Sequence, residues 1–491
     1  MVRMNEWLVP SKSTINRITL IMFALLFTSN ICHVTNGNST NDQDDVHLDH
    51  QSRKDYTNHS VVKISETNIH LLFEPRNSSN DHSEHEILWF DNVDRNAYVR
   101  LGPNATARVK RDIHRTGNPI FLTSNLQSWI DAEQGLNNNH NNIVHRTRPQ
   151  SSSSFPTFDD MIEEDSVGTT IRNVDPLMPE ESHRSRIIRT FILNQYYPLS
   201  KVYQFLDDIE DRTNGITVFT IGHTHEGRPI KAIEILNNPS DGRFIWIDAC
   251  THAREWVTVT TALYLIEQTI VHKVPMNFII VPVLNVDGYV YTWEKDRMWR
   301  KNRRPYSASR LAVHNMPDRC NGVDLNRNYD INFGGEGSSS SPCSYLYQGP
   351  HPFSEPEVKA VSDLLAKNRH RIKMTLSLHS FNQLWASPNA FTTARTKDHE
   401  HHMRVLKAVQ QAVASTNGVT YEIGPLGASL YLGSGFMMDW IYHKLGIRDA
   451  YLVELRDKGY HGFVLPAKYI WPTATETWAG LRAAIRMIFN V

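Results

Sequence analysis

The sequence predicts a large α/β domain running from about residue 190 to the C-terminus, preceded by a small α+β module. Three observations carry this reading. The chain has 491 residues, too many for one typical domain and enough for roughly two to three folded units. Beyond residue 190, short runs rich in β-branched and aromatic residues alternate with amphipathic helical segments, the pattern of strands and helices sharing one core. Before it, apolar runs are short and separated by long polar stretches. Lys plus Arg (51) nearly cancels Asp plus Glu (52), so bulk charge offers no handle for nucleic acid or an anionic membrane, and recognition must be local.

Taken from the N-terminus, Lys12 and Arg17 precede an apolar run over 18–27, followed by small and polar residues. This is the layout of a secretory signal peptide (1–35), and the run is short for a membrane span; an uncleaved signal anchor is the alternative. Residues 36–60 form a polar leader rich in His and Asp, with too little apolar surface to offset ordering entropy. Residues 61–171 contain the apolar runs 61–64, 87–90 and 120–122 and a helical pattern around Trp129, with polar insertions between them. Residues 172–189 form a linker whose end, S-H-R-S-R-I-I-R at 182–189, offers arginines to a trypsin-like protease. Export gives meaning to N-X-S/T sequons at Asn38, Asn58, Asn77 and Asn104. Of four cysteines, Cys32 ends the signal region and Cys250 ends an apolar run and reads as a buried thiol. Cys320 and Cys343 can then close one disulfide in an oxidising compartment.

In the large domain (190–491), the runs 244–250, 278–284, 374–378 and 450–453 read as buried strands. Segments 256–270, 357–367 and 473–489 read as helices, the second opened by a capping box, Ser354 with Glu357 three residues on. His252 and Glu255 follow the first strand, His379 the third, and Glu454 the fourth. Ligands of open α/β sheets bind beyond the carboxyl ends of strands, so these four residues are expected to converge there. Two histidines and a carboxylate suit a catalytic zinc, leaving one position open for water. A carboxylate that does not bind the metal is still needed to move protons, and Glu454 fits that task. His252-Ala253-Arg254-Glu255 alone is a weak signal in a chain with 24 histidines, and no HExxH occurs. Other histidines compete: His399, His401 and His402 read as a solvated helix face, His223 and His225 as turn residues.

Further segments strengthen the zinc reading: Asn285-Val286-Asp287-Gly288, Arg297-Met298-Trp299-Arg300-Lys301, the run G-V-D-L-N-R-N at 322–328, and Glu454-Leu455-Arg456-Asp457. In their order and spacing they resemble the M14 metallocarboxypeptidases, in particular the pancreatic-type A/B subfamily, over essentially all of 190–491. The resemblance implies a mixed twisted sheet flanked by helices. It implies one Zn2+ on His252, Glu255 and His379, Arg300 holding the scissile oxyanion, and Glu454 acting as general base and then acid. Asn326, Arg327 and Tyr431 would grip the substrate's terminal carboxylate, with Arg254 touching it on entry, and Cys320 and Cys343 match the family's disulfide. These roles are chemically coherent: an arginine fork recognises a free carboxylate through two charge-assisted hydrogen bonds that an internal peptide bond cannot reproduce.

The position matching Met438 forms the floor of the family's side-chain pocket, and enzymes that cut after Lys or Arg carry an acid there. With Leu452 and Leu426 at wall positions, the resemblance implies release of aliphatic or aromatic residues, as in A-type enzymes. Leu452 stands where many relatives have Thr, which suggests a shallower pocket, and Val286 stands where the family usually has Pro. The first part of the chain more loosely resembles the family's inhibitory prosegment, through 61–65 and 158–163. The expected partners are peptide C-termini and an activating trypsin-like protease, with no nucleic acid and no stable membrane span; the expected product is a secreted monomer made as a zymogen. The rival readings are a catalytically inactive peptide-binding relative and an enzyme of this fold with another substrate, such as acidic protein tails or peptidoglycan.

Overall fold

The computed structural model describes residues 54–57, 59–65, 85–91, 96–101, 120–123, 125–133, 195–306 and 318–491. The expected signal peptide, the asparagines of the four sequons, the run 158–163 and the arginines at 182–189 lie outside these residues.

The N-terminal module is an antiparallel sheet of β1 (Ser60–Ser65), β2 (His85–Asp91), β3 (Asn96–Leu101) and β4 (Ile120–Thr123), in the order β2-β3-β1-β4. Val62 pairs with Val99 and both are fully buried, which fixes the register. Helix α1 (Leu126–Glu133) follows, burying Leu126 and Ile130 at the i, i+4 spacing of one helix face. The three expected apolar runs and the helix at Trp129 are all present; β3, with no long apolar run, was not anticipated.

The C-terminal domain is built on one eight-stranded mixed sheet, ordered β11-β10-β12-β9-β7-β8-β6-β5. Strands β5 (Ile216–His223) and β6 (Pro229–Ile235) form an edge hairpin. Strands β7 (Phe244–Ala249), β8 (Asn277–Val281), β9 (Ile372–His379) and β12 (Asp449–Glu454) form the parallel centre, and β10 (Leu384–Ser387) and β11 (Glu422–Pro425) the other edge. Every residue of β7, β8 and β12 is buried, as expected for parallel strands covered on both faces.

The helices are α2 (Leu199–Arg212), α3 (Trp256–Val271), α4 (Val286–Glu294), α5 (Pro356–Asn368), α6 (His399–Asn417) and α7 (Ile470–Phe489). Helix α3 is buried on almost all sides, wedged against β7–β9 and α7. Helices α6 and α7 pack on one another, and α2 and α5 lie against β5. Cys320 and Cys343 are disulfide-bonded, and Cys250 is a buried free thiol. Among the described residues, no helix is long and apolar enough to cross a membrane.

Two local expectations fail. The capping box does not form: Glu355, not Ser354, sits at the N-cap of α5 with Pro356 as the first helical residue, and Glu357 turns to the Asn302 amide instead. The histidines of α6 are not a solvated face. His402 is fully buried against the Arg448 carbonyl and His401 meets the Asp449 carboxylate, because this face of α6 packs against the start of β12.

A smaller apolar cluster joins the two modules, bringing Tyr56, Val61, Leu122, Leu126 and Ile130 against Met298, Phe381, Phe463 and Val464. Glu133, the last residue of α1, is fully buried and receives two hydrogen bonds from Arg297, Nε at 2.7 Å and Nη2 at 2.6 Å. Lys54 and Tyr56 both reach Asp296.

Candidate active site

Strands β7, β9 and β12 are adjacent and parallel, so their carboxyl ends finish side by side. Leu378 pairs with both Ala249 and Val453, and His379 pairs with Glu454. The chain leaving β7 turns at once into α3, which places His252 and Glu255 over the same edge. Four residues spread over two hundred positions therefore meet because three strands stop level.

The donor atoms of His252, Glu255 and His379 all lie within 4.8 Å of one another, and all three residues are buried. His252 Nδ1 is 2.7 Å from Glu255 Oε1; His379 Nδ1 is 3.2 Å from Glu255 Oε2 and 3.2 Å from His252 Nδ1. The outward nitrogens are held separately. His252 Nε2 meets Asp324 Oδ1 at 3.1 Å. His379 Nε2 meets Ser377 Oγ at 3.2 Å, and that hydroxyl donates to Asp248. With Nε2–H committed outward, each ring presents its Nδ1 lone pair inward, the tautomer a metal requires. Burial opposes ionisation of Glu255, but His252 and His379 outweigh it and hold its carboxyl well below the usual range. A zinc ion fits this set: two imidazoles and an ionised carboxylate, converging, buried and braced from behind.

Glu454 is buried beside this set, and its Oε2 has no hydrogen-bond partner among the described residues. Burial, and then the Glu255 charge, push its carboxyl well above the usual range, with Arg300 and Arg327 pulling the other way. The two acids thus differ sharply in proton affinity, the pattern that separates a ligand from a proton carrier.

Arg300 places its guanidinium 3.7 Å from Glu255 and 3.0 Å from Asp324. Asn326 and Arg327 lie in a single 3-10 turn, Leu325–Arg327, capped by Asp324, whose Oδ1 accepts from the Asn326 N–H at 3.0 Å. Arg327 is fixed by the Gly337 carbonyl at 2.7 Å and lies over the Phe436 ring at 4.5 Å, with the Tyr431 ring at 5.9 Å. Gly435, at φ +76°, lets the 431–436 segment close over this turn; a Cβ there would meet the Arg327 carbonyl oxygen at 2.2 Å.

Asp324 was not singled out by sequence reasoning, yet it organises the site. It bonds His252 and Arg300 and caps the turn that carries Asn326 and Arg327. Burial opposes its ionisation, and the surrounding Arg300, Arg327 and His252 charges outweigh burial and hold it well below the usual range. Its only sequence signal was its place directly before the L-N-R turn. Ser377 and Asp248, behind His379, carried no signal at all, being polar residues inside strands that read as apolar.

Arg254 faces another way. Its guanidinium stacks on Phe463 at 3.9 Å and Nη1 reaches the Met298 carbonyl at 3.4 Å, at the seam with the N-terminal module. Leu426, Met438 and Leu452 are all buried. Leu452 lies on β12, and the short helical turns Leu426–Ser429 and Met437–Trp440 pack against β10–β11 and β12 respectively. Asp439, next to Met438, does not offer a free negative charge: its carboxyl accepts from the N–H groups of Ala390 (2.8 Å) and Phe391 (3.1 Å).

A mixed α/β sheet whose strand ends gather two imidazoles and a carboxylate, beside a further buried acid and two arginines, has the architecture of a metallopeptidase. The chain belongs to the zinc carboxypeptidase family, peptidase M14, whose family model matches residues 202–480, and within it to the A/B-type subfamily. It is 36% identical to mouse carboxypeptidase A2 over 343 residues, covering 68% of this chain and 79% of that protein. It is 35% identical to bovine carboxypeptidase B2 over 339 residues, covering 65% and 78% respectively. Among solved structures it is similar to thrombin activatable fibrinolysis inhibitor, with a TM-score of 0.68 at 28% identity, covering 89% of this chain and all of that one.

Proposed function

We propose that this chain is a secreted zymogen of a zinc carboxypeptidase that releases single aliphatic or aromatic residues from peptide C-termini. The observation that carries the reading is the buried carboxyl of Glu454, whose Oε2 has no hydrogen-bond partner among the described residues, beside the His252–Glu255–His379 set, with Arg300 and Arg327 also buried. His252, Glu255 and His379 would hold the zinc, which supplies Lewis-acid activation of water and of the scissile carbonyl near neutral pH.

The chain's own residues supply the rest. Glu454 takes a proton from water and returns it to the leaving amine. Arg300, anchored by Asp324, presents fixed positive charge to the oxygen that becomes negative, a kind of donor typically worth about 3–4 kcal/mol of barrier. Arg327, Asn326 and Tyr431 bind the free carboxylate, which sets the cut one residue from the end. Arg254, which lies against Phe463 at the seam with the N-terminal module, would meet that carboxylate on the way in once the module has left. An apolar Met438 with Leu426 and Leu452 favours an uncharged side chain, and the neighbouring Asp439 is occupied by backbone N–H groups and leaves no acid for Lys or Arg.

The zymogen reading draws on the N-terminal module (61–171). Its α1 shares an apolar cluster with Met298 and Phe381, each two residues along the chain from Arg300 and His379, and with Phe463, on which Arg254 stacks. Cleavage within 172–189 would release it. Secretion rests on residues 1–35 and accords with the Cys320–Cys343 disulfide.

The test is hydrolysis of blocked dipeptides ending in Phe, Leu or Arg by trypsin-treated protein, with and without a zinc chelator, and with Glu454→Gln as control. Chelator-sensitive release of Phe or Leu, absent from the mutant and from uncleaved protein, supports the reading. Release of Arg instead overturns the pocket assignment. No release from zinc-loaded, cleaved protein overturns the enzyme reading in favour of a peptide-binding relative.

A further inference from the structure

A second group of metal-binding side chains lies away from the strand ends described above. His225 sits in the turn between β5 and β6, while Glu355 and Glu357 flank Pro356 at the start of α5. One donor atom from each lies within 4.8 Å of the others. None of the three belongs to the His252–Glu255–His379 set.

The two carboxylates are fully buried, and their partners are unequal. Glu355 is well satisfied: Oε1 accepts from Arg304 Nη1 (2.7 Å) and Ser354 Oγ (2.7 Å), and Oε2 from Asn302 Nδ2 (2.8 Å) and from His225 Nε2 at 3.0 Å. Glu357 is not. Its Oε2 accepts from the neutral Asn302 amide at 3.0 Å, and its Oε1 is buried with no hydrogen-bond partner among the described residues. The same Asn302 nitrogen serves both acids, so the two carboxylates face each other across it. Arg304 is bonded to Glu355 and not to Glu357. A buried carboxylate with a bare oxygen and no bonded cation is costly unless it takes up a proton or a metal ion. His225 stands at the mouth of this pair with about a quarter of its side chain exposed. It provides an imidazole nitrogen and an opening to solvent.

We infer that His225, Glu355 and Glu357 form a second divalent-metal site, of a kind that binds zinc. An imidazole with two carboxylates selects a borderline ion such as zinc over calcium, which prefers oxygen ligands throughout, and water at the open face completes four-coordination. The ion replaces the His225–Glu355 hydrogen bond and supplies the missing partner of Glu357. It is structural in character: it ties the β5–β6 turn to the start of α5, and through Asn302 to the segment that carries Arg300 two residues earlier.

The experiment counts zinc in the full-length chain after stripping, reloading with excess Zn2+ and desalting at pH 7.5. Wild type, His225→Phe and Glu357→Gln are compared, with near-ultraviolet circular dichroism to show that each variant is folded. Glu357→Gln is nearly isosteric and removes only the charge, so it serves if His225→Phe fails to fold. The expected result is two ions per chain in wild type and one in each variant. One ion in wild type, unchanged in the variants, overturns the inference, as does a count of two in the variants. One ion in wild type that falls to zero in His225→Phe supports this site and overturns the catalytic zinc instead.

Discussion

Removing the charge of Glu133 tests how the N-terminal module is held against the C-terminal domain. Glu133 and Arg297 form a two-hydrogen-bond ion pair, with side-chain exposures of 0% and 1%. Arg297 is otherwise fixed within its own domain: it donates to the carbonyls of Arg254 (2.9 Å) and Phe463 (2.7 Å) and lies on the Trp256 ring at 3.9 Å. Glu133→Gln therefore leaves the arginine in place, buried and without its counter-charge when the modules are docked. Breaking one partner of a buried pair costs about 3–5 kcal/mol. At about 1.4 kcal/mol per factor of ten, the docked module should be held roughly two to three and a half orders of magnitude more weakly. The assay is to nick the chain in 172–189, dilute the nicked complex serially, and follow peptide hydrolysis as the module dissociates. The mutant should become active at far higher protein concentration than wild type. A dissociation constant within threefold of wild type refutes the reasoning and leaves docking to the apolar cluster around Leu122, Leu126 and Met298.

Three further outcomes are expected. Glu454→Gln should lower peptide hydrolysis by about 10²–10⁴-fold without loss of bound zinc, checked by steady-state kinetics alongside metal analysis; parallel loss of zinc would mean that Glu454 is a ligand. Asp324→Asn weakens the acceptor behind His252, so zinc affinity in chelator competition should fall by about 10–100-fold, and unchanged affinity would contradict the bracing role. Asp439 gives a pH signature: burial, against the Ala390 and Phe391 N–H groups, pushes its carboxyl up from 3.8 to about 7. The folded chain then keeps a proton that the unfolded chain has released, so this group's contribution to stability falls as pH rises from about 4 to about 7. Urea unfolding of wild type relative to Asp439→Asn should show that decline, and a difference independent of pH would exclude it.

Much of this was legible in the sequence, for identifiable reasons. The central strands announced themselves because parallel strands buried on both faces are apolar over most of their length, and chemistry placed just after such runs stands out. His252, Glu255, His379 and Glu454 were therefore readable one at a time. The edge hairpin β5–β6 was not, since half-buried strands mix polar and apolar residues, and neither was β3, whose sequence N-A-Y-V-R-L has no long apolar run. Histidine content misled: His401 and His402 looked like a charged helix face, yet α6 turns that face onto Arg448 and Asp449.

What the sequence determined alone is the set of chemical groups and the local elements that carry them, because strand and helix preferences and motif spacing act over a few residues. What only the tertiary structure decided is which groups become partners. Asp324 reaches His252 across 72 positions and Glu133 reaches Arg297 across 164. The unequal partners of Glu355 and Glu357 likewise depend on Asn302, more than fifty residues earlier. Burial removes water as an alternative partner, so each of these groups must be matched by another part of the fold. That matching is set by where strands end and helices pack, not by any residue's neighbours in the chain.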